Sequence, residues 1–352
     1  MELLLHIGTE KTGSSFIQTS LAVNRDELLS NGIWYPTAGV REQDMLAGRI
    51  SPGNALPLYQ ALRDGNLEQA EAVLKTFHQA ATERGVKAIL LSNENLIEPL
   101  SDVRVFETFG HLLSAIDLQL KSVLLVLRDP VEQALSLYKH RAKNGGIPRL
   151  DDWLQGGFKL GEHLLAFQSV MEASVTNVQV KRYTKDSSRI LSFFYSEWLG
   201  LEVPANIQHK EVNPSLTLSE LELLNKIHEE NPVLAQSFYK AMLEVPVQDK
   251  SRDEYLAAHV RETIANELAA KASIWEYYNC LLSSTDQLQI PQVVAEVDAV
   301  KERYSFSEIQ LNTIAQFMHV STTRAAMIRR STEWMKRIYG RLRSSWGGKQ
   351  KS

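Results

Sequence analysis

The sequence is poor in cysteine: its 352 residues include only Cys280, so no disulfide can form within the chain. Unpaired cysteine is typical of reducing compartments. The chain also lacks any apolar run near the ~20 residues that cross a bilayer, and it does not begin with a basic region followed by a long apolar stretch. We therefore expect a cytoplasmic protein without a secretion signal or a transmembrane helix.

An excess of positive charge is missing as well. The formal net charge is −4, which argues against a general nucleic-acid-binding protein. The sequence contains no internal repeat and no histidine and cysteine cluster with the spacing of metal ligands, so we expect no metal site. Its length allows a large core, either in one α/β domain or in one domain with a helical extension.

The first twenty residues carry the most informative pattern. An apolar run at residues 3–7 predicts a short buried strand, which leads through a polar turn into a helical pattern. The N-terminus of such a helix presents backbone N–H groups and the positive end of the helix dipole to an anion. The two glycines let a phosphate approach the backbone, and Lys11 adds a positive charge. The candidate phosphate-binding residues are Gly8, Lys11, Thr12, Gly13, Ser14 and Ser15.

A second pattern follows the apolar run of residues 122–127, which is typical of a strand buried on both faces. Arg128 stands at the carboxyl end of this run, where open parallel sheets bind ligands. Asp129 and Pro130 predict the start of a helix, because proline is favoured at the first helical position. Ser136, about two turns along that helix, is expected to face the same crevice as Arg128.

The order of residues in the first pattern differs from that of Walker-type nucleotide triphosphatases, in which lysine follows the second glycine. Here Lys11 precedes Gly13. Together with Arg128 and Ser136, this arrangement resembles the sulfotransferases that use 3′-phosphoadenosine 5′-phosphosulfate (PAPS), especially their bacterial, carbohydrate-type branch. The resemblance implies a three-layer, P-loop-like α/β fold with a central parallel sheet and transfer of a sulfuryl group to an acceptor hydroxyl.

The resemblance also assigns roles to the candidate residues. It implies that the 5′-phosphosulfate lies on the loop around Lys11, that the 3′-phosphate lies near Arg128 and Ser136, and that adenosine 3′,5′-bisphosphate (PAP) leaves without help from a metal ion. It implies a carbohydrate hydroxyl as acceptor, on a glycolipid or capsular precursor for instance, with a small metabolite as the other choice.

Further candidates for the nucleotide site come from the next 80 residues. A strand is predicted at residues 178–183, and the resemblance places its last residue, Tyr183, near the adenine. Asn213 lies in a segment that resembles the family's cofactor-closing loop, but the basic run typical of the cytosolic enzymes is missing there. Lys210 and Asn213 are therefore both candidates to complete the 3′-phosphate site.

A catalytic base is expected at the end of another buried strand, predicted at residues 87–92. Glu94 follows this strand, and a carboxylate in a partly dry crevice has a pKa suited to accept the proton of the attacking hydroxyl. Family members use either histidine or glutamate in this role. Glu10, inside the phosphate loop, is a rival carboxylate, and His140 is a more distant alternative.

Two other functions stay open. The run that ends at Asp129 also matches the acidic strand end that holds magnesium in kinases and ATPases, so a P-loop kinase is one alternative. The Asp129–Pro130 step instead favours a helix start, and the first loop lacks the Walker order. The other alternative is a non-catalytic relative that keeps the nucleotide site.

The division of the chain follows the change in pattern. Residues 1–215 are predicted to form the catalytic core, and residues 216–352 a mainly helical extension with helices at 220–230 and 255–278. Residues 67–84, 106–116 and 164–172 predict amphipathic helices, whereas residues 37–66 predict an irregular loop beside the acceptor site.

The end of the chain is basic. Nine basic residues and one acidic residue follow position 323, and apolar residues recur among them at helical spacing. Residues 324–346 therefore suit either a last helix packed on the body or peripheral contact with an anionic membrane at its inner face.

Overall fold

A computed structural model of the chain describes residues 1–37, 53–142, 148, 150–174, 177–204, 216–250, 254–293 and 306–320. Within these residues the fold is α/β, with a five-stranded parallel sheet flanked by helices. The predicted fold class is confirmed at this level. The strands are β1 (Glu2–Gly8), β2 (Ile33–Trp34), β3 (Ala88–Ser92), β4 (Gln119–Leu127) and β5 (Val178–Arg182).

The sheet has the order β2-β3-β1-β4-β5. The central strand, β1, pairs in parallel with β3 and β4, so that Leu4 lies beside Leu90 on one side and Ser122 on the other. Because all strands run the same way, their carboxyl ends meet at one edge of the sheet. The residues predicted from three separate apolar runs therefore emerge side by side.

Helices connect the strands, as parallel pairing requires. Among the described residues of the first 200 they are α1 (Ser14–Val23), α2 (Arg25–Ser30), α3 (Leu56–Arg63), α4 (Leu67–Glu83), α5 (Ile97–Leu100), α6 (Val103–Ala115), α7 (Pro130–Arg141), α8 (Leu150–Gly156), α9 (Leu160–Ala173) and α10 (Ser187–Leu191). The last of these continues as a π-helical stretch, Ser192–Leu199, and a short 3₁₀ turn, Glu94–Leu96, follows β3.

Both faces of the sheet are buried. On one face Leu4, Leu90 and Val126 pack with side chains of α1, α2 and the α10 region into one apolar cluster. The alternate residues of the strands, such as Leu3 and Leu5, point to the other face and are also fully buried. Burial on both faces explains why these strands appear in the sequence as continuous apolar runs.

The structure corrects two predicted elements. Residues 37–66 were expected to be irregular, but the described part of this range contains α3, whose apolar side chains Leu58 and Leu62 are buried. Eight residues are too few for a clear helical period. The single helix expected at 255–278 is two helices, α13 (Glu254–Ala269) and α14 (Ala272–Leu281).

The chain forms two compact units. The larger comprises residues 1–138, 149–213 and 258–299, and the smaller comprises residues 139–148, 214–257 and 300–352. The smaller unit includes α11 (Leu218–Glu230), α12 (Pro232–Leu243) and a helical segment at 308–320. Its described interior contains a buried ion pair between Lys250 and Glu220 at 3.0 Å, and Gln310 donates to the same carboxylate at 2.8 Å. Residues 258–299 belong to the larger unit, together with the sheet.

No helix in the described part of the chain is long and apolar enough to cross a membrane. The basic segment at 324–346 lies outside the described residues.

Candidate active site

The β1–α1 loop, residues 9–13, occupies the centre of the sheet edge. Lys11 and Gly13 both have left-handed backbone conformations, with φ of 68° and 78°. Thr12 Oγ1 donates to the carbonyl of Thr9 at 2.6 Å, which closes the turn. Helix α1 then begins at Ser14 without a side-chain cap. Its first backbone N–H groups are therefore directed at the space beside the loop.

Arg128 joins the two sequence patterns in space. Its guanidinium donates to the backbone carbonyl of Lys11 at 3.2 Å. The same guanidinium lies over the ring of Tyr183, 5.2 Å from the ring centroid, which is within the range of a cation–π contact. Tyr183 also lies against Gly13, so the strand ends of β4 and β5 both contact the β1–α1 loop.

Gln133, which the sequence did not single out, also contacts this loop. Its side chain is buried and donates to the backbone carbonyl of Glu10. Ser136 is one helical turn further along α7, on the same face, and is half-buried. Ser136 therefore lies on the same face of α7 as Gln133, which contacts the loop, and this position is compatible with the predicted direction of Ser136 towards the site.

Glu94 lies at the opposite side of the loop, at the end of β3. Its Oε2 accepts a hydrogen bond from Gln18 Nε2 at 3.2 Å, and the hydroxyl of Ser14 is also within hydrogen-bonding reach. Burial raises the pKa of the Glu94 carboxyl, and the nearby charge of Glu10 raises it further, whereas the hydrogen bonds from Ser14 and Gln18 act in the other direction. The two rival carboxylates of the sequence therefore lie close together.

A cavity of about 540 Å³ opens beside Arg128 and Tyr183, at the ends of β4 and β5. Five cationic and three acidic side chains line it, so the lining is net positive. The full lining is Arg128, Asp129, Glu132, Arg182, Tyr183, Thr184, Lys185, Arg189, Arg261, Thr285 and Asp286.

Ion pairs hold the cavity's cations in place. Glu132 accepts from Arg261 Nε at 2.7 Å and lies 3.6 Å from Arg128. Burial raises the pKa of Glu132, but the hydrogen bond from Arg261 and the charges of Arg261, Arg128 and Lys185 outweigh burial and lower it. Glu132 is therefore ionised at neutral pH and shared between two guanidinium groups.

Asp129 has both carboxylate oxygens engaged. Oδ2 accepts from Arg182 at 2.6 Å, and Oδ1 accepts from the backbone N–H of Gln289 at 2.7 Å. Helix α7 begins at Pro130, directly after Asp129, as expected. The carboxylate thus connects the β4 end to β5 and to the segment after α14.

Three further candidates remain from the sequence. His140 lies in the last turn of α7. Lys210 and Asn213 lie outside the described residues, so their prediction stays untested. Among the described residues no group of three or more histidine, cysteine, aspartate or glutamate side chains is placed to hold a metal ion.

Two of the arginines that line the cavity have no clear signal in the sequence. Arg182 directly precedes Tyr183 in a predicted strand, and period-2 alternation alone would have directed it away from Tyr183. Arg261 lies 133 residues after Arg128 in an ordinary helical pattern.

Comparisons of the chain with protein-family models, with curated proteins and with solved structures give no match. Its function therefore has to be inferred from its own residues.

Proposed function

We propose that this protein is a PAPS-dependent O-sulfotransferase with a P-loop-like core. The observation that supports this proposal most strongly is the convergence of four separate sequence elements at one sheet edge. The β1–α1 loop, Glu94, Arg128 and Tyr183 follow β1, β3, β4 and β5, and contacts join each of the other three to the loop or to Ser14 at its end.

The loop suits the 5′-phosphosulfate. The N-terminal N–H groups of α1 and the helix dipole favour an anion at this point. Lys11 supplies a positive charge next to them, and it would stabilise the negative charge that develops on the bridging oxygen as PAP leaves. Thr12, Gly13, Ser14 and Ser15 form the rest of this subsite in the proposal.

The cavity beside Arg128 suits the remainder of the nucleotide. Its volume is in the range of small-molecule sites, and its cationic lining favours a ligand with an additional phosphate. Arg128 would bind the 3′-phosphate, with Ser136 near it, and Tyr183 offers an aromatic face beside the base. The residues present therefore fit PAP as a ligand.

Glu94 would act as the general base. In the proposed step the acceptor oxygen attacks sulfur while Glu94 takes the hydroxyl proton, and the bond between sulfur and the bridging oxygen breaks. The electron pair of that bond goes to PAP. Because the raised pKa of Glu94 makes it a better proton acceptor than an exposed carboxylate, its position and its chemistry agree.

The kinase alternative is less well supported. A magnesium ligand at the end of β4 would need a carboxylate with available oxygens. Both oxygens of Asp129 already bind Arg182 and the N–H of Gln289.

We keep a carbohydrate hydroxyl as the proposed class of acceptor. We also keep peripheral membrane contact as a proposal for residues 324–346, which lie outside the described residues.

Calorimetric titration with PAP tests the nucleotide site directly. We expect PAP to bind more tightly than AMP or ATP with magnesium, and we expect Arg128→Ala to lower the affinity for PAP about tenfold or more. Arg104→Ala is the matched control, because Arg104 is an exposed arginine on α6 outside the cavity.

The other results would change the conclusion. Preference for ATP with magnesium would favour the kinase. Tight PAP binding without sulfuryl transfer to any acceptor hydroxyl in a screen would favour the non-catalytic alternative.

A further inference from the structure

A chain of buried polar side chains runs from the middle of the sheet to Glu94. His6, Ser92 and Gln18 are at most 1% exposed, although their neighbours on β1 and β3 are apolar. Burying such groups is unfavourable unless they form hydrogen bonds. The partners of their hydrogen bonds therefore indicate the role of these three side chains.

Gln18 is the donor in two of these hydrogen bonds. Gln18 Nε2 lies 3.2 Å from Glu94 Oε2 and 3.4 Å from Ser92 Oγ, so each N–H of its amide has an acceptor. Ser92 Oγ lies 2.8 Å from His6 Nδ1. Burial lowers the pKa of His6 to about 3, so the ring is neutral, and the direction of its hydrogen bond with the Ser92 hydroxyl follows the tautomer of the ring. Gln18 therefore donates to both Glu94 and Ser92, and Ser92 is joined in turn to His6.

The ionised Glu94 carboxylate favours this orientation of the Gln18 amide. If the amide were reversed, its oxygen would face the Glu94 carboxylate and would repel it when ionised. The backbone at Gly53 closes the space around the amide, since a Cβ at that position would lie 2.7 Å from Gln18 Nε2 and 1.9 Å from the carbonyl oxygen of Ser92. The donor side of Gln18 is thus held against Glu94.

We propose that Gln18 is a positioning residue for Glu94: its amide, anchored through Ser92 to His6, orients the carboxylate and favours its ionised, proton-accepting form. The catalytic part of this inference rests on the proposed role of Glu94 as the base. Among the described residues, the other titratable groups that interact with Glu94 are Glu10 on the loop and Tyr35 after β2. Burial and Glu10 oppose ionisation of Glu94, whereas Ser14 and Gln18 favour it.

The test combines two variants with two measurements. Gln18→Met removes both donors at nearly constant volume, and Gln18→Glu replaces a donor by a second carboxylate. Titration of the Glu94 carboxyl carbon by NMR gives its pKa whether or not the protein is active. We expect Gln18→Met to raise that pKa by about one unit and to lower kcat for sulfuryl transfer about tenfold. Gln18→Glu should shift the pKa further, because two carboxylates then share one site.

Gln310→Met is the matched control. Gln310 is equally buried and donates to the carboxylate of Glu220 in the smaller unit, so its loss removes the same kind of hydrogen bond without touching the site. It should leave the pKa of Glu94 unchanged. In active Gln18 variants, the acid limb of the pH profile should move to higher pH while the affinity for PAP stays within about twofold.

The outcomes separate this inference from the proposed function. An unchanged pKa of Glu94 in Gln18→Met would overturn the positioning role. A raised pKa in a protein that transfers no sulfuryl group would support the positioning role and refute the proposed function. If Gln18→Met does not fold, Ser92→Ala removes the anchor of the amide instead, and an unchanged Glu94 pKa in that variant would equally overturn the inference.

Discussion

The ring of Tyr183 lies against Gly13 so closely that a Cβ at position 13 would be 2.9 Å from its Cε2 atom. Gly13 also has a φ of 78°, a conformation that residues with a side chain rarely adopt. Two independent constraints therefore require glycine here. Through this contact the end of β5 sets the position of the last residue before α1.

Gly13→Ala is expected to lower the free energy of unfolding by about 2–4 kcal/mol, because it combines an unfavourable φ with a steric clash. Denaturant unfolding measures this loss. Gly65→Ala is the matched control: Gly65 has a φ of 68°, but a Cβ added there would have no atom within 4 Å, so this variant reports the φ effect alone. Equal losses in the two variants would contradict a close contact with Tyr183.

Lys11 is strained in the same way, with a φ of 68°. Lys11→Gly and Lys11→Ala both remove the positive charge, and we expect both to lower sulfuryl transfer 100-fold or more, by roughly the effect of losing one transition-state donor. The glycine variant should be the more stable by about 1 kcal/mol, because only alanine keeps a Cβ in the left-handed conformation. If thermal unfolding finds the alanine variant as stable as the glycine variant, the strain is absent.

Glu94→Gln should lower kcat by about 10²–10⁴-fold with little effect on PAP binding, as expected for loss of a general base. Although the substitution lowers activity, it is expected to stabilise the folded protein at high pH. Burial raises the pKa of Glu94 in the folded state, so the native protein loses stability as pH rises through that pKa. The variant should therefore be more stable than the wild type at pH 8, and unfolding curves should converge below the pKa of an unfolded glutamate.

Glu132 lies where a phosphate would meet Arg128 and Arg261. We expect Glu132→Gln to increase the affinity for PAP, because the competing carboxylate is lost, and Arg261→Ala to decrease it about tenfold. Calorimetry at two salt concentrations measures both, and the affinities should fall as ionic strength rises. Unchanged affinity in both variants would place the nucleotide outside this cavity.

His6 makes stability depend on pH. Its folded pKa of about 3 lies below the unfolded value of 6.5, so only the unfolded chain binds a proton between these values. Stability present above pH 6.5 is lost as pH falls, by about 1.4 kcal/mol per unit. His6→Gln should flatten the dependence over this range, as measured by denaturant unfolding at several pH values. An unchanged slope would mean that His6 is protonated in the folded protein.

The sequence predicted the centre of the sheet well because β1, β3 and the second half of β4 are buried on both faces. Runs such as residues 122–127 have no polar alternation, so their length and their flanking residues identify them as strands. The position of Arg128 and Glu94 at strand ends followed directly. The strand order did not follow, because it depends on which apolar faces pack together in three dimensions.

Residues that act through tertiary contacts could not be predicted. Gln18 occupies a helical position that carries no signal of burial, and tertiary contacts with residues such as Gly53 and Ser92 enclose it. Arg261 reaches the cavity from a distant helix. The helix at Leu56–Arg63 was missed since proline and glycine near it are typical of loops, whereas buried Leu58 and Leu62 stabilise it.

The central place of β1 has a consequence for biosynthesis. Of the five strands of the sheet this one is made before the others, yet both of its partners come much later, since β3 begins at Ala88 and β4 at Gln119. At ~5–20 residues per second, a ribosome needs on the order of 10 s to extend the chain from β1 through β4. Until β3 is made the apolar residues of β1 have neither partner strand beside them, and for the rest of the interval they still lack β4. Parallel pairing over such sequence separations is slow. The nascent chain should therefore depend on chaperones until β4 has been synthesised.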